Sequence, residues 1–178
     1  YRMIQSISTN IHGGTDRASS AYNFTGTVTR IIREHDGTES VDITETFAYD
    51  HMDRLLTATH QIGSGTAVTM QSNSYNEIGE LIEKNIGNDV QSIDYSYNIR
   101  GWLTKINNGQ TLDAGENDKF GLQLKYDDAP SGFKQYNGNI GQALWKVNGN
   151  NRNYKYSYDE LSRLTAATYS NGDFNVSG

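Results

Sequence analysis

The sequence predicts an all-β protein, an antiparallel up-and-down meander of β-hairpins, and three observations predict it. The 178 residues draw their polarity from Gly, Asn, Ser and Thr more than from charge, with 20% charged residues and 12 Tyr as the main apolar resource. That mixture favours strands joined by tight turns. Apolar and polar residues alternate with period two in Ile93-Asp94-Tyr95-Ser96-Tyr97, Leu122-Gln123-Leu124-Lys125-Tyr126 and Tyr154-Lys155-Tyr156-Ser157-Tyr158, the pattern of strands with one face buried. A Tyr-led segment also recurs, at first roughly every 25 residues, which marks a repeat architecture.

The recurring unit is Tyr, three mixed residues, a Gly or small polar residue, one variable residue, then Leu or Val. It runs from Tyr22 through Gly26 to Val28, from Tyr49 and Asp50 to Leu55, and from Tyr75 through Gly79 to Leu81. It recurs from Tyr97 through Gly101 to Leu103 and from Tyr158 and Asp159 to Leu164. A degenerate copy covers Tyr136-Asn137-Gly138-Asn139-Ile140, and Tyr1-Arg2-Met3-Ile4 matches the tail of a truncated one. In each copy Tyr ends one strand and Leu begins the next. The residue before the variable position should take φ > 0, which suits Gly, is tolerated by Asp53 and fits Ser162 less well. Tyr and Leu are expected to pair across the hairpin on the buried face, with Leu55, Leu81, Leu103 and Leu164 packed beside the repeat tyrosines.

A second set of turns falls midway between copies, at Asp36-Gly37, Gly87-Asn88 and Asn148-Gly149. Joining the two sets places strands near 27–34, 41–49, 54–61, 68–75, 90–97, 120–126, 153–158 and 163–169, within about a dozen in all. Residues 110–119 break the rhythm and read as an irregular loop. No segment reads as a helix.

Composition narrows the function classes. A formal net charge of -6 argues against nucleic acid and anionic membrane. The absence of Cys removes disulfides and thiolate metal sites. Apolar residues are 35% of the chain and mean hydropathy is −0.71, so any core is thin. No apolar run approaches the roughly 18 residues of a membrane span, and residues 1–20 hold no signal-like apolar stretch. Both ends read as cut from something longer.

Groups able to do chemistry are scattered. His12, His35, His51 and His60 show no metal-ligand spacing and no partner to orient them. Gly63-Ser64-Gly65 lacks the context of a nucleophile elbow and reads as a turn. Asp113, Glu116, Asn117 and Asp118 have oxygen ligands suited to calcium, but a spacing that fits a plain polar loop better. Asp127-Asp128 before Pro130 reads as a turn, and the sequons at Asn23 and Asn175 carry no role. Trp102 sits at the variable position before Leu103 and is expected to face away from it. Trp102 and Trp145, with Tyr95, Tyr97, Tyr154, Tyr156 and Tyr158, offer either a sugar-stacking platform or the filling of an inner face. The sequence therefore predicts no catalytic residue, no cofactor and no metal.

These repeats resemble the RHS/YD-repeat family, named for the Tyr-Asp present here as Tyr49-Asp50 and Tyr158-Asp159. Asn replaces Asp in Tyr22-Asn23, Tyr75-Asn76 and Tyr97-Asn98. The segment from Phe120 to Leu164 also looks like the variant in large bacterial exported Rhs-like proteins. The resemblance covers nearly all of residues 1–178. It implies a β-strip that spirals into a hollow shell, which encloses a C-terminal toxin in bacterial polymorphic toxins and insecticidal toxin complexes and supports adhesion in teneurins. It implies a secreted or cell-surface bacterial setting, with the rest of the same repeat shell and an enclosed toxin domain as partners. A meander with one apolar face cannot bury that face alone, so an isolated fragment is expected to stay an open strip or to pair edges as a dimer. The competing reading is a surface module that binds carbohydrate or a partner protein. An enzyme of glycoside hydrolase type would need two convergent carboxylates, and no acidic pair stands out.

Overall fold

A computed structural model describes residues 2–37, 39–108, 118–147 and 150–170. It holds thirteen antiparallel strands: β1 Gln5–Thr9, β2 Thr15–Tyr22, β3 Val28–His35, β4 Val41–Tyr49, β5 Leu55–Ile62, β6 Val68–Tyr75, β7 Leu81–Ile86, β8 Gln91–Tyr97, β9 Leu103–Ile106, β10 Phe120–Lys125, β11 Gln142–Val147, β12 Asn150–Tyr158 and β13 Leu164–Ser170. Strand order equals chain order, β1 through β13, so strands consecutive in the chain are neighbours. No helix occurs among the described residues. The predicted fold class is the observed one. The eight expected strands are present as β3, β4, β5, β6, β8, β10, β12 and β13, while β1, β2, β7, β9 and β11 are additions, because Gln5–Thr9, Thr15–Tyr22, Leu81–Ile86, Leu103–Ile106 and Gln142–Val147 lack a clean period of two. Most of the predicted 110–119 loop and the Asn148-Gly149 turn lie outside the described residues.

The chain divides into two compact units, one of Tyr1–Ser74 with Lys84–Val90 and one of Tyr75–Glu83 with Gln91–Gly178. In the first unit pairing runs through β1 to β6, with Asp16 opposite His35, Arg30 opposite Thr46 and Thr46 opposite Thr59. Cross-strand ion pairs line this sheet, Arg17 to Glu34 at 3.3 Å and Arg33 to Glu45. Both are solvent-exposed and contribute little, about 0–1 kcal/mol each.

The second unit pairs β8 through β13 and contains the buried hydrophobic residues Tyr126, Ala129, Ala143 and Leu144. Gln142 is buried with them, its amide donating to Asn153 Oδ1 at 3.1 Å, and Asn107 binds the Phe120 carbonyl at 2.9 Å. The core is thin, as low hydropathy requires. Leu55, Leu81 and Leu103 are half-buried rather than packed away. Leu164 corrects the expectation outright: it is 57% exposed, because among the described residues β13 stands last in the strand order.

Candidate functional site

The repeat turns share one hydrogen-bond design. The residue after Tyr turns its side-chain oxygen back onto the loop and accepts from the backbone N–H groups that close it. Asn23 Oδ1 accepts from Gly26 and Thr27, and Asp50 Oδ1 from Met52 and Arg54. Asn76 accepts from Ile78 and Glu80, Asn98 from Arg100 and Trp102, and Asp159 from Leu161 and Arg163. Either Asp or Asn supplies that oxygen, which is why the two interchange at this position. The other side-chain atom chooses its partner by hydrogen-bond polarity. The second oxygen of Asp50 and of Asp159 accepts from the Nε of Arg54 at 2.6 Å and of Arg163 at 2.7 Å, whereas Asn76 Nδ2 donates to Glu80 at 2.7 Å.

These contacts bias protonation. Desolvation alone would raise the pKa of Asp50, but the amides of Arg54 and Met52 and the Arg54 guanidinium outweigh it and hold the carboxyl below its ordinary value. The Arg163 amide, then its guanidinium, do the same for Asp159.

The residue before the variable position has φ of 99° at Gly26, 58° at Asp53, 91° at Gly79, 74° at Gly101 and 60° at Ser162, as the turn predicted. Non-glycine residues there are strained, and both exceptions carry compensating bonds. Asp53 Oδ1 accepts from Asn23 Nδ2 at 3.1 Å and from Thr25 Oγ1 at 3.0 Å, and Ser162 Oγ accepts from Asn137 Nδ2 at 2.8 Å. Each side chain thus ties its turn to the preceding one. A bulge sets four of these turns, with register shifts at Ala21/Tyr22, Ala48/Tyr49, Ser96/Tyr97 and Ser157/Tyr158, so that Tyr22 opposes Val28, Tyr49 opposes Leu55, Tyr97 opposes Leu103 and Tyr158 opposes Leu164. Thr104 and Thr165 hydroxyls donate to the carbonyls of Ser96 and Ser157 beside two of these bulges.

A second feature links successive repeats. The phenol of Tyr22 donates to the Met3 carbonyl, Tyr49 to Val28, Tyr97 to Leu81, Tyr126 to Leu103 and Tyr158 to Ile140, all between 2.8 and 3.0 Å. Each acceptor occupies the Leu or Val position of the preceding copy. The tyrosine is therefore a latch, its ring half-filling the sheet face and its hydroxyl fastening the previous turn. Burial first, and the nearby Asp53 and Glu80 charges second, push the phenols of Tyr49 and Tyr97 up; burial does the same for Tyr126 and Tyr158.

This geometry reassigns the degenerate copy. Tyr136 is 65% exposed, and among the described residues its carbonyl, not its hydroxyl, is bound, accepting from Arg100 Nη1 at 3.0 Å. Tyr126 makes the latch, and Ile140 closes the copy, so residues 127–136 are an insertion within one repeat turn. The signal was present in the sequence, since Tyr126-Asp127 is itself a Tyr-Asp pair at the end of an alternating strand. Trp102, beside the two ends of that insertion, is half-buried rather than free. Its ring lies 5.1 Å from Tyr126, Arg100 stacks at 4.9 Å, and Gly138 approaches so closely that a Cβ there would stand 3.1 Å from the indole. The turn Asn10-Ile11-His12-Gly13-Gly14 is another that alternation missed, with Asn10 Oδ1 accepting from His12 and Gly14.

Four aromatic residues of β11, β12 and β13 lie against one another. Trp145 stacks on Tyr154 at 5.7 Å, Tyr154 on Tyr156 at 6.0 Å, and Tyr169 tilts against Tyr154 at 5.1 Å. Arg152 donates to the Tyr169 hydroxyl at 3.2 Å. Trp145, Tyr154 and Tyr156 are half-buried and Tyr169 is 39% exposed.

One histidine corrects the expectation that none has a partner. His35 Nδ1 lies 2.6 Å from Asp16 Oδ1, in an open groove of about 350 Å³ whose lining includes Ser6, Ser8, Arg33 and Ile43. Ser8 opposes Asp16 on β1 while His35 opposes it on β3, so the carboxylate stands between hydroxyl and imidazole, and among the described residues no nucleophile is bonded to His35. No group of three metal-ligating side chains occurs among the described residues. Asp113, Glu116 and Asn117 lie outside those residues, as does the Asn175 sequon.

No family model matches the chain, and no curated protein matches it. Among solved structures it is similar to the crystal structure of TcdB2-TccC3-Cdc42, with a TM-score of 0.50 and 17% identity over 88% of this chain. It also aligns with the Photorhabdus luminescens Tc holotoxin pore at a TM-score of 0.48 and 18% identity, over 88% of this chain. A porin-like protein from Bacteroides uniformis aligns at 0.31 and 16% identity, over 89% of this chain and 59% of that one. The chain spans 9% of the length of each of the first two. By fold, the chain is similar to a short stretch of a chain in the TcdB2-TccC3-Cdc42 assembly.

Proposed function

We propose that this chain is a non-catalytic wall segment of an RHS/YD-type shell, a secreted bacterial structure that encloses or scaffolds another domain such as a toxin. The observation that supports it most is the tyrosine latch. Repeats that fasten each turn to the one before it build a sheet of indefinite length whose polar groups are spent on the wall itself. A catalytic site would instead converge titratable groups and shift their pKa values toward a task. Here the shifted carboxyls, Asp50 and Asp159, are held by their own turns. The fold shared with a chain of TcdB2-TccC3-Cdc42 supports the same reading. The test is cryo-electron microscopy of the natural polypeptide that carries this sequence. A hollow wall with the latched hairpins running around it is the expected result, and a solid domain or a flat isolated sheet refutes it.

A second reading is favoured by the stack of Trp145, Tyr154 and Tyr169, which has the form of a platform for sugar rings, with Arg152 at its rim. Titration of the chain on a glycan array separates the two. Saturable binding abolished by Trp145→Ala supports a carbohydrate module, and its absence supports the wall. Screens on glycan and peptide libraries are expected to show no hydrolysis.

A further inference from the structure

The chain has 12 tyrosines and no cysteine, so no disulfide can staple its strands, and a covalent tie between them must come from another side chain. β12 and β13 bring two phenol rings into contact. Tyr154 opposes Tyr169 in the register of that pairing, and directly opposed residues carry their side chains on the same face of a sheet. The contact therefore lies on the sheet face and not along the outer edge of β13. The ring centroids are 5.1 Å apart and the planes tilt by 49°. At that separation and tilt the edge of one ring approaches the other, and the edges hold the carbons ortho to each hydroxyl. Arg152 Nη1 donates to the Tyr169 hydroxyl at 3.2 Å and fixes that ring. The other neighbours of Tyr154 are arranged differently. Trp145 lies 5.7 Å away with planes 14° from parallel, and Tyr156 lies 6.0 Å away at 18°. They set faces rather than edges against Tyr154, and they limit its swing away from Tyr169.

From this we propose that Tyr154 and Tyr169 form an oxidative cross-linking site, where a one-electron oxidant joins the two rings by a carbon–carbon bond between ortho positions. Each phenol gives one electron to the oxidant and its hydroxyl proton to water. The two phenoxyl radicals combine through their ortho carbons. Each of those carbons then releases its hydrogen as a proton, and each ring oxygen takes one up, which restores two phenols. Hydrogen peroxide acting through a haem peroxidase is an oxidant of the required class. It accepts the two electrons and two protons and leaves as two waters. The product closes the β12–β13 hairpin covalently and removes that loop's freedom from the unfolded chain, as a disulfide would.

The experiment treats the whole folded chain, at low concentration, with a haem peroxidase and limiting hydrogen peroxide. Dityrosine fluorescence measures the yield, and mass spectrometry of a protease digest locates the bond. The expected product joins the peptides that carry Tyr154 and Tyr169 within one chain. It is lost in Tyr154→Phe and in Tyr169→Phe and kept in Tyr156→Phe. Phenylalanine retains each ring, so the sheet is preserved in all three variants. A Tyr154–Tyr156 product in its place, cross-links that form only between chains, or no cross-link at all overturns the proposal. None of these failures bears on the hollow wall, which the imaging experiment reads independently.

Discussion

Tyr49→Phe isolates the latch from everything else the tyrosine does. The phenol donates to the Val28 carbonyl at 2.8 Å, and ring and carbonyl are both half-buried. Phenylalanine keeps the ring in place, so no cavity opens and the apolar contribution is unchanged. What is lost is one neutral hydrogen bond, about 0.5–1.5 kcal/mol net. The full penalty of a buried orphan carbonyl, up to about 3 kcal/mol, does not apply, because a half-buried carbonyl recovers water. The expected loss is therefore about 1 kcal/mol, or a fall in Tm of about 2–4 °C for a chain of this size. Urea and thermal unfolding followed by tyrosine and tryptophan fluorescence measure it. Tyr136→Phe is the control: its hydroxyl makes no latch and its ring is 65% exposed, so the change should stay within about 0.5 kcal/mol. A Tyr49→Phe loss below about 0.3 kcal/mol, or a Tyr136→Phe loss of equal size, would refute the latch as a source of stability.

Other expectations follow from the same turns. Asn98→Ala removes the acceptor for the Arg100 and Trp102 amides and should cost about 1–2 kcal/mol by denaturant titration, while Asn98→Asp keeps the oxygen and most of the stability. The depressed folded pKa values of Asp50 and Asp159 mean that their contribution is present above the ordinary carboxyl value and is lost as pH falls through the lower folded one; an Asp50→Asn, Asp159→Asn double variant should flatten that acid limb in a pH series of melts. The phenols of Tyr49, Tyr97, Tyr126 and Tyr158 are raised, so their contribution is complete below the ordinary phenol value and declines at higher pH, visible as an alkaline limb shallower in Tyr49→Phe. Leu55→Ala, half-buried, should cost about 1–2 kcal/mol, whereas Leu164→Ala, 57% exposed, should cost less than about 0.5.

Amino-acid order alone determined the hairpin meander, the repeat turns and the sign of φ at Gly26, Gly79, Gly101, Asp53 and Ser162, because these depend on neighbours within one turn. A period of two, a Tyr six residues before a Leu, and a Gly or small polar residue between them are local demands of sterics and backbone hydrogen bonding. The structure alone decided which turns touch. Tyr126, not Tyr136, latches Leu103 because an insertion of unpredictable length separates the halves of that copy, and only pairing of β9 with β10 brings phenol and carbonyl together. The same holds for the contact of His35 with Asp16, 19 residues apart, and for Asp53, whose strained backbone is explained by an Asn one repeat earlier. Leu164 makes the point from the other side. Its repeat position is identical to that of Leu103, yet Leu103 is half-buried and Leu164 is exposed, because burial is set by the neighbouring strand and not by the residue.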